Sequence, residues 1–359
     1  MGINPQAVYR LQHLNGNRNR YMAAEPNANG YLLTTNTDAE KGDFSLLPVS
    51  GQEGYYYIYN KEGYFVTPST TYWTLSKTTP APIKVVLNID RMATNNTFNA
   101  TFLLGEANQH ANAQNKNSTE LVYAYSDHET DNGNNWMLEP LSSATATLSL
   151  NDITSNLSSV VASANASDVT LTYTATVGAA GFGTVVVPFE ADVTGDVEAW
   201  ELTSIDGSNR IQGTKVTTIT ANKPVLLKNA GTLTLTAKSG TAAYEATPVN
   251  GLLHGVYASG TVSAGNYVLQ NLSGGVAFYR VESGSEPTIR PFRAYLSTGG
   301  SARMLTFAFD DEQTGIQSTE TMKSVNDVYT ADGIRQKTMG RGLNIVRMSD
   351  GSIKKVLNK

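Results

Sequence analysis

Asp131-Asn132-Gly133-Asn134-Asn135-Trp136-Met137-Leu138-Glu139 decides the fold, because it closes the last of three similar segments. The first segment opens at Tyr9-Arg10-Leu11 and closes at Phe44-Ser45-Leu46. The second runs from Tyr57-Ile58-Tyr59 to Val85-Val86-Leu87, and the third from Phe102-Leu103-Leu104 to Trp136-Met137-Leu138. Inner strands are read at Tyr31-Leu32-Leu33, Tyr64-Phe65-Val66 and Leu121-Val122-Tyr123-Ala124-Tyr125. Asn15-Gly16, Asn29-Gly30 and Asn132-Gly133 are the pairs favoured in type I′ hairpins, where both central residues take positive φ. Four short strands repeated three times close a barrel under a hairpin cap and leave few edges exposed.

Residues 7–141 resemble the ricin-type β-trefoil superfamily, especially versions found in secreted proteins of gut and oral Bacteroidetes. The likeness rests on the stretch from Asp131 to Glu139, which is similar to that family's closing strand with its Gln-x-Trp motif. Asn134 stands where the Gln would be, the first repeat has Gly42-Asp43-Phe44, and the second has Pro82 and Ile83 with no aromatic residue. The resemblance implies a lectin-like module, and these departures leave the third repeat as the best candidate site. Sugar binding needs an aromatic face for the apolar side of a pyranose and Asp or Asn groups for its hydroxyls. The third repeat offers Asn108, Tyr125, Asp127 and Asn134 around Trp136, and the first offers Asn17, Tyr31, Asn36 and Asp38. Trp136 itself is expected in the core, as the matching family residue is.

Beyond the trefoil, residues 142–167 are dense in Ser, Ala, Thr and Asn and read as a linker that could hold a strand or a short helix. Strand patterns resume over 168–310, among them Gly183-Thr184-Val185-Val186-Val187-Pro188-Phe189 and Ala277-Phe278-Tyr279-Arg280-Val281, which predicts an antiparallel β-sandwich-like domain. The order of Phe182-Gly183-Thr184-Val185-Val186-Val187-Pro188-Phe189, Ala221-Asn222-Lys223-Pro224-Val225-Leu226-Leu227, and Phe278-Tyr279 before Ala294-Tyr295-Leu296 is similar to a β module that recurs in secreted Bacteroidetes proteins. A polar linker is expected over 311–326, and after it a short C-terminal β-hairpin tail over 327–359. The tail, with Asp327-Val328-Tyr329-Thr330-Ala331-Asp332-Gly333-Ile334-Arg335 and Lys354-Lys355-Val356, resembles the end of a type IX sorting domain. The fold class is therefore all-β throughout.

With 359 residues, the chain has room for two or three cores. It contains no cysteine, so disulfides, thiolate zinc sites and cysteine nucleophiles are excluded. The net charge of −5 argues against a general nucleic-acid binder. Charge is uneven: from Lys323 onward eight Lys/Arg face three Asp, which leaves the remainder at −10. No apolar run approaches the ~20 residues of a membrane span. Met1-Gly2-Ile3-Asn4 lacks a basic, then apolar, export signal, so an exported chain would have lost it. The Asn/Thr/Gly-rich, lysine-poor composition points to an extracellular or cell-surface location, with the periplasm as the alternative.

Chemistry is sparse by comparison. His13, His110, His128 and His254 lie far apart, and no Gly-x-Ser-x-Gly elbow or phosphate loop occurs. Asp127-His128-Glu129-Thr130-Asp131-Asn132-Gly133 has calcium-loop composition but places Asn132 and Leu138 where an EF-hand needs Gly and Glu. The expectation is a non-enzymatic protein without metal or cofactor, whose partner is a glycan or polysaccharide. The rivals are a structural or adhesive surface protein, the C-terminal accessory part of a larger secreted glycoside hydrolase or peptidase, and a hydrolase with paired carboxylates in the central region.

Overall fold

The computed structural model describes residues 3–13, 20–88, 101–106, 108–114, 119–126, 131–309, 325–330, 335–336, 342–348 and 353–358. The chain divides into two compact units, Met1–Ala308 and Phe309–Lys359. Both are built from strands and turns, with one α-helix among the described residues.

The first repeat contributes β1 (Ala7–His13), β2 (Tyr21–Met22), β3 (Leu33–Thr35) and β4 (Phe44–Pro48). The second contributes β5 (Tyr55–Asn60), β6 (Phe65–Thr67), β7 (Thr74–Ser76) and β8 (Ile83–Leu87). The third contributes β9 (Thr101–Leu104), β10 (His110–Asn112), β11 (Glu120–Leu121), β12 (Tyr123–Tyr125) and β13 (Asn135–Thr145). The opening and closing strands pair antiparallel around a complete circuit, β1 to β4, β5, β8, β9, β13 and back to β1. The inner strands pair as β2–β3, β6–β7 and β10–β12.

The ring encloses its own core because its strands alternate. Along β1, Tyr9, Leu11 and His13 are buried while Arg10 and Gln12 are half-buried. Tyr9 and Leu11 join Phe44, Ile58, Trp73, Phe102 and Trp136 in one apolar cluster. Turns differ from expectation in kind. At Asn27–Tyr31 the Asn27 carbonyl accepts from Gly30 N and the Asn27 Oδ1 from Tyr31 N, with positive φ at Gly30 but not Asn29. Asn60–Tyr64 repeats the same bonds around Gly63. Asn132-Gly133 is no hairpin: Asn132–Asn134 forms a 3-10 turn whose Gly133 N–H is taken by the Asp131 carboxylate at 2.6 Å. Asn15-Gly16 lies outside the described residues.

Residues 142–167, expected as a linker, are structured and partly buried. β13 runs on to Thr145, β14 spans Thr147–Ser149, and α1 spans Leu157–Ala166. Leu157, Val160, Val161 and Ala164 recur at helical spacing and are buried, while serines and alanines let the helix sit close. Tyr57 donates to Ser159 Oγ at 2.9 Å, and Ser163 Oγ accepts from Ser50 N at 2.8 Å. Leu47, Val49, Tyr57, Tyr59 and Phe65 of the ring share one core with this segment and with Leu171, Val186, Phe189 and Leu227 further along the chain.

The helix also explains why the next region is not purely antiparallel. β14 pairs parallel with β15 (Thr170–Val177), and parallel neighbours need a crossover, which α1 provides. The remaining strands are β16 (Phe182–Val185), β17 (Ala191–Asp192), β18 (Glu198–Ile205), β19 (Arg210–Val216), β20 (Thr218–Ile219), β21 (Val225–Lys228) and β22 (Gly231–Thr236). They continue as β23 (Val249–Asn250), β24 (Leu253–Val256), β25 (Gly260–Thr261), β26 (Tyr267–Leu272), β27 (Gly275–Arg280), β28 (Thr288–Ile289), β29 (Arg293–Leu296) and β30 (Met304–Phe309). β14, β15 and β22 form a three-stranded sheet; a ten-stranded sheet has the order β16-β21-β18-β19-β30-β27-β26-β29-β24-β23. That sheet curls until β16 meets β29: Val186 N donates to Phe292 O at 3.2 Å, and Thr184 Oγ1 bonds both backbone groups of Ala294.

In the second unit, β31 (Val325–Thr330), β32 (Arg335–Gln336), β33 (Gly342–Met348) and β34 (Ile353–Asn358) form an antiparallel sheet in the order β32-β31-β33-β34, larger than the expected hairpin. Of the expected linker, residues 311–324 lie outside the described residues, and 325–326 open β31.

Candidate functional site

Three backbone bonds join the hairpins at their centre. Leu32 N donates to Trp73 O at 2.8 Å, Trp73 N to Val122 O at 2.9 Å, and Val122 N to Leu32 O at 3.0 Å, so the cycle closes with one residue from each repeat. All three side chains are buried in the ring's core. Strand alternation therefore turns the residues on either side the other way. The flanking pairs are Tyr31 with Thr74, Tyr72 with Tyr123 and Leu121 with Leu33, and all six residues are half-buried.

Three of these six are tyrosines in contact. The Tyr31 and Tyr72 ring centroids lie 4.9 Å apart at 45°, and those of Tyr72 and Tyr123 5.3 Å apart at 59°. Tyr125, two residues on along the same face of β12, is 44% exposed. The result is a strip of three touching phenol rings, with Tyr125 next along the same face, and no formal charge among the four. Rings of this kind suit the apolar face of a neutral pyranose, and their hydroxyls suit its edge.

The expected site residues meet only in part. Tyr125 pairs with His110 in the β10–β12 hairpin, and Asn108, also exposed, lies two residues before His110, at the same hairpin end. Asn134 is elsewhere: it is 0% exposed, and its Oδ1 accepts from Asn112 Nδ2 at 2.9 Å at the opposite end of β10. It braces the hairpin from beneath and is withdrawn from any surface ligand. Asp127 and Asn17 lie outside the described residues. Trp136 is fully buried, with Nε1 donating to Ala111 O at 2.8 Å. Sequence reasoning misses Tyr72 because nothing local marks it: its neighbour Tyr123 lies 51 residues away and is brought close only by the bridge between repeats.

Comparison with known proteins leaves the family open. No protein-family model and no curated protein matches the chain. A solved structure reported as "Structure and mode of action of a mosquitocidal holotoxin" overlaps 98% of this chain, which spans 39% of that one, at 9% identity and a TM-score of 0.29. An overlap at that score carries no argument about fold or function.

The ring's outer face is charged where the strip is not. Arg10 and Lys61 both grip Asp43, at 3.2 and 2.8 Å. Burial works to raise the Asp43 carboxyl, but the hydrogen bonds from Lys61 and Arg10 outweigh it and hold the group below the usual range. Asp43 and Lys61 line a cleft of about 380 Å³ between the ring and β14. A second cleft of about 320 Å³ lies by β16 and β29, and a third of about 220 Å³ beside Asp168. None of the three is lined by two carboxylates, the arrangement a glycosidase would need. No helix among the described residues is long and apolar enough to cross a membrane.

His13 gives a pH signature to this half of the molecule. Burial, reinforced by the adjacent Arg20 guanidinium, lowers its pKa from 6.5 to about 4. Between those values the unfolded chain binds a proton that the folded chain does not. Stability is therefore full above pH 6.5 and falls as pH drops toward 4, by up to about 3 kcal/mol. Denaturant titrations at pH 7.0, 5.5 and 4.5 are expected to register that loss in the parent protein, and a smaller one in His13→Gln. Equal slopes in the two proteins would rule out His13 as the cause.

Proposed function

We propose that the chain is a non-catalytic, exported glycan-binding or accessory protein of the kind made by gut and oral Bacteroidetes. In this reading residues 7–141 are a ricin-type β-trefoil, the sheets after it are a sandwich-like domain, and the last sheet is related to a sorting tail. The closed six-strand circuit and the three hairpins support the trefoil. One observation carries the function: the uncharged, half-buried rings of Tyr31, Tyr72 and Tyr123, in contact across the three repeats, with the exposed Tyr125 following on the same face of β12. Asn108 stands beside Tyr125 as a partner for sugar hydroxyls, and the bound unit is a neutral saccharide.

A structural role for the trefoil has its own support, since Tyr57, Tyr59 and Phe65 pack into the core shared with the next region. The two readings part at the strip. A glycan array of neutral oligosaccharides, probed with the full chain, is expected to return a signal that the double variant Tyr72→Ala/Tyr125→Ala loses. An array blank for the parent protein would sink sugar binding and leave the packing role.

A further inference from the structure

Far from the tyrosine strip in sequence, the cleft of about 320 Å³ on the curled sheet has the opposite electrostatic character. Its walls carry Arg290, Arg293, Gln270, Asn271, Thr288 and Phe182, and no Asp or Glu is among the lining residues. Its volume lies within the ~300–1,000 Å³ range of small-ligand pockets. Two arginines line this cleft with no carboxylate among its walls, so an incoming anion meets guanidinium donors without a competing acidic side chain.

The segment holding both arginines is fixed in place. Arg293 Nη1 donates to Thr184 O at 2.9 Å, which anchors it across the β16–β29 seam. Between them, Phe292 is held at φ +60°, a left-handed conformation that is a genuine outlier for a bulky side chain. Its buried ring stacks on Tyr173 at 4.7 Å and meets Tyr257 edge-on at 5.5 Å. Strain of this kind persists only where surrounding packing over-determines it, and here it aims a short strap. Arg290, exposed, makes no hydrogen bond or ion pair with any described residue.

We propose that this cleft is a second binding site, for the carboxylate of an acidic saccharide unit such as a hexuronate. The planar guanidinium forks match a carboxylate, and the Gln270 and Asn271 amides and Thr288 hydroxyl match ring hydroxyls. The site is independent of the trefoil reading: it uses different residues, a different sheet and a charged ligand.

Affinity electrophoresis of the full chain through gels containing polygalacturonate tests it. With a net charge of −5, the chain as a whole is repelled by a polyanion, so retardation must come from a local site. The parent is expected to be slowed by polygalacturonate, not by neutral pullulan, and less so as salt rises. Arg290→Gln, a change at an exposed residue that disturbs no described contact, is expected to weaken binding about tenfold, the effect of losing one charge-assisted contact. Tyr72→Ala is expected to leave this binding unchanged, so that failure here and failure of the strip are separately visible. Unchanged retardation of Arg290→Gln would assign the effect to the basic segment beyond Lys323 and overturn the proposal. So would equal or stronger retardation by poly-glutamate or dextran sulfate, and so would free migration of the parent.

Discussion

Trp136→Ala is expected to destabilise the first unit by about 3–5 kcal/mol, the range for truncating a large aromatic side chain in a packed core. Trp136 pairs with His13 of β1 on one side and Phe102 of β9 on the other, so it lies where the last repeat returns to the first. Its ring meets His13 edge-on at 5.7 Å. Truncation opens a cavity at that seam and leaves the Ala111 carbonyl without its indole donor, so the larger values of the range apply. Trp136→Phe keeps most of the volume and loses the donor, and is expected to cost clearly less. Equilibrium denaturation monitored by far-UV circular dichroism reads both. A loss below about 1 kcal/mol for Trp136→Ala would mean that the circuit does not depend on its closing strand.

The second large effect is expected at a glycine. Gly105 follows β9 at φ +103°, and a Cβ placed there would sit 2.6 Å from the Gln109 carbonyl oxygen and 2.8 Å from the Trp73 indole. Those two groups are already joined, since Trp73 Nε1 donates to Gln109 O at 3.2 Å. Gly105→Ala therefore combines backbone strain with a clash that must displace a partly buried hydrogen bond and the buried Trp73 ring, and about 3 kcal/mol or more is expected. Gly30→Ala is the control: φ is +79° there, but open space surrounds the new methyl group, so only about 1 kcal/mol of backbone strain applies. Equal denaturation midpoints for the two variants would refute the packing described around Trp73.

Much of the first repeat unit is legible in the sequence because its signals are local. Tyr9-Arg10-Leu11 and Phe44-Ser45-Leu46 alternate with strand period and fall in paired strands. The Asn-x-x-Gly-Tyr pattern at Asn27–Tyr31 and Asn60–Tyr64 is also present, as two copies of one turn, and identifies equivalent hairpins better than the Asn-Gly pairs do. The segment from Ser142 to Ser167 misleads through composition. Its serines and alanines resemble a linker, yet Leu157, Val160, Val161 and Ala164 already mark a helix face. The site is the least legible part. Asn134 falls in a polar run, and its burial follows from the fold of Asn112 against it, a contact 22 residues away. The tyrosine strip depends on register between repeats, which no local pattern encodes.

Sugar binding is expected to depend on those rings. Calorimetric titration of the full chain with a neutral oligosaccharide selected by the array compares the parent with Tyr72→Ala, the ring that touches both Tyr31 and Tyr123. An affinity loss of about tenfold or more, corresponding to about 1.4 kcal/mol, is expected, with an unchanged denaturation midpoint. Identical affinities for the two proteins would contradict it.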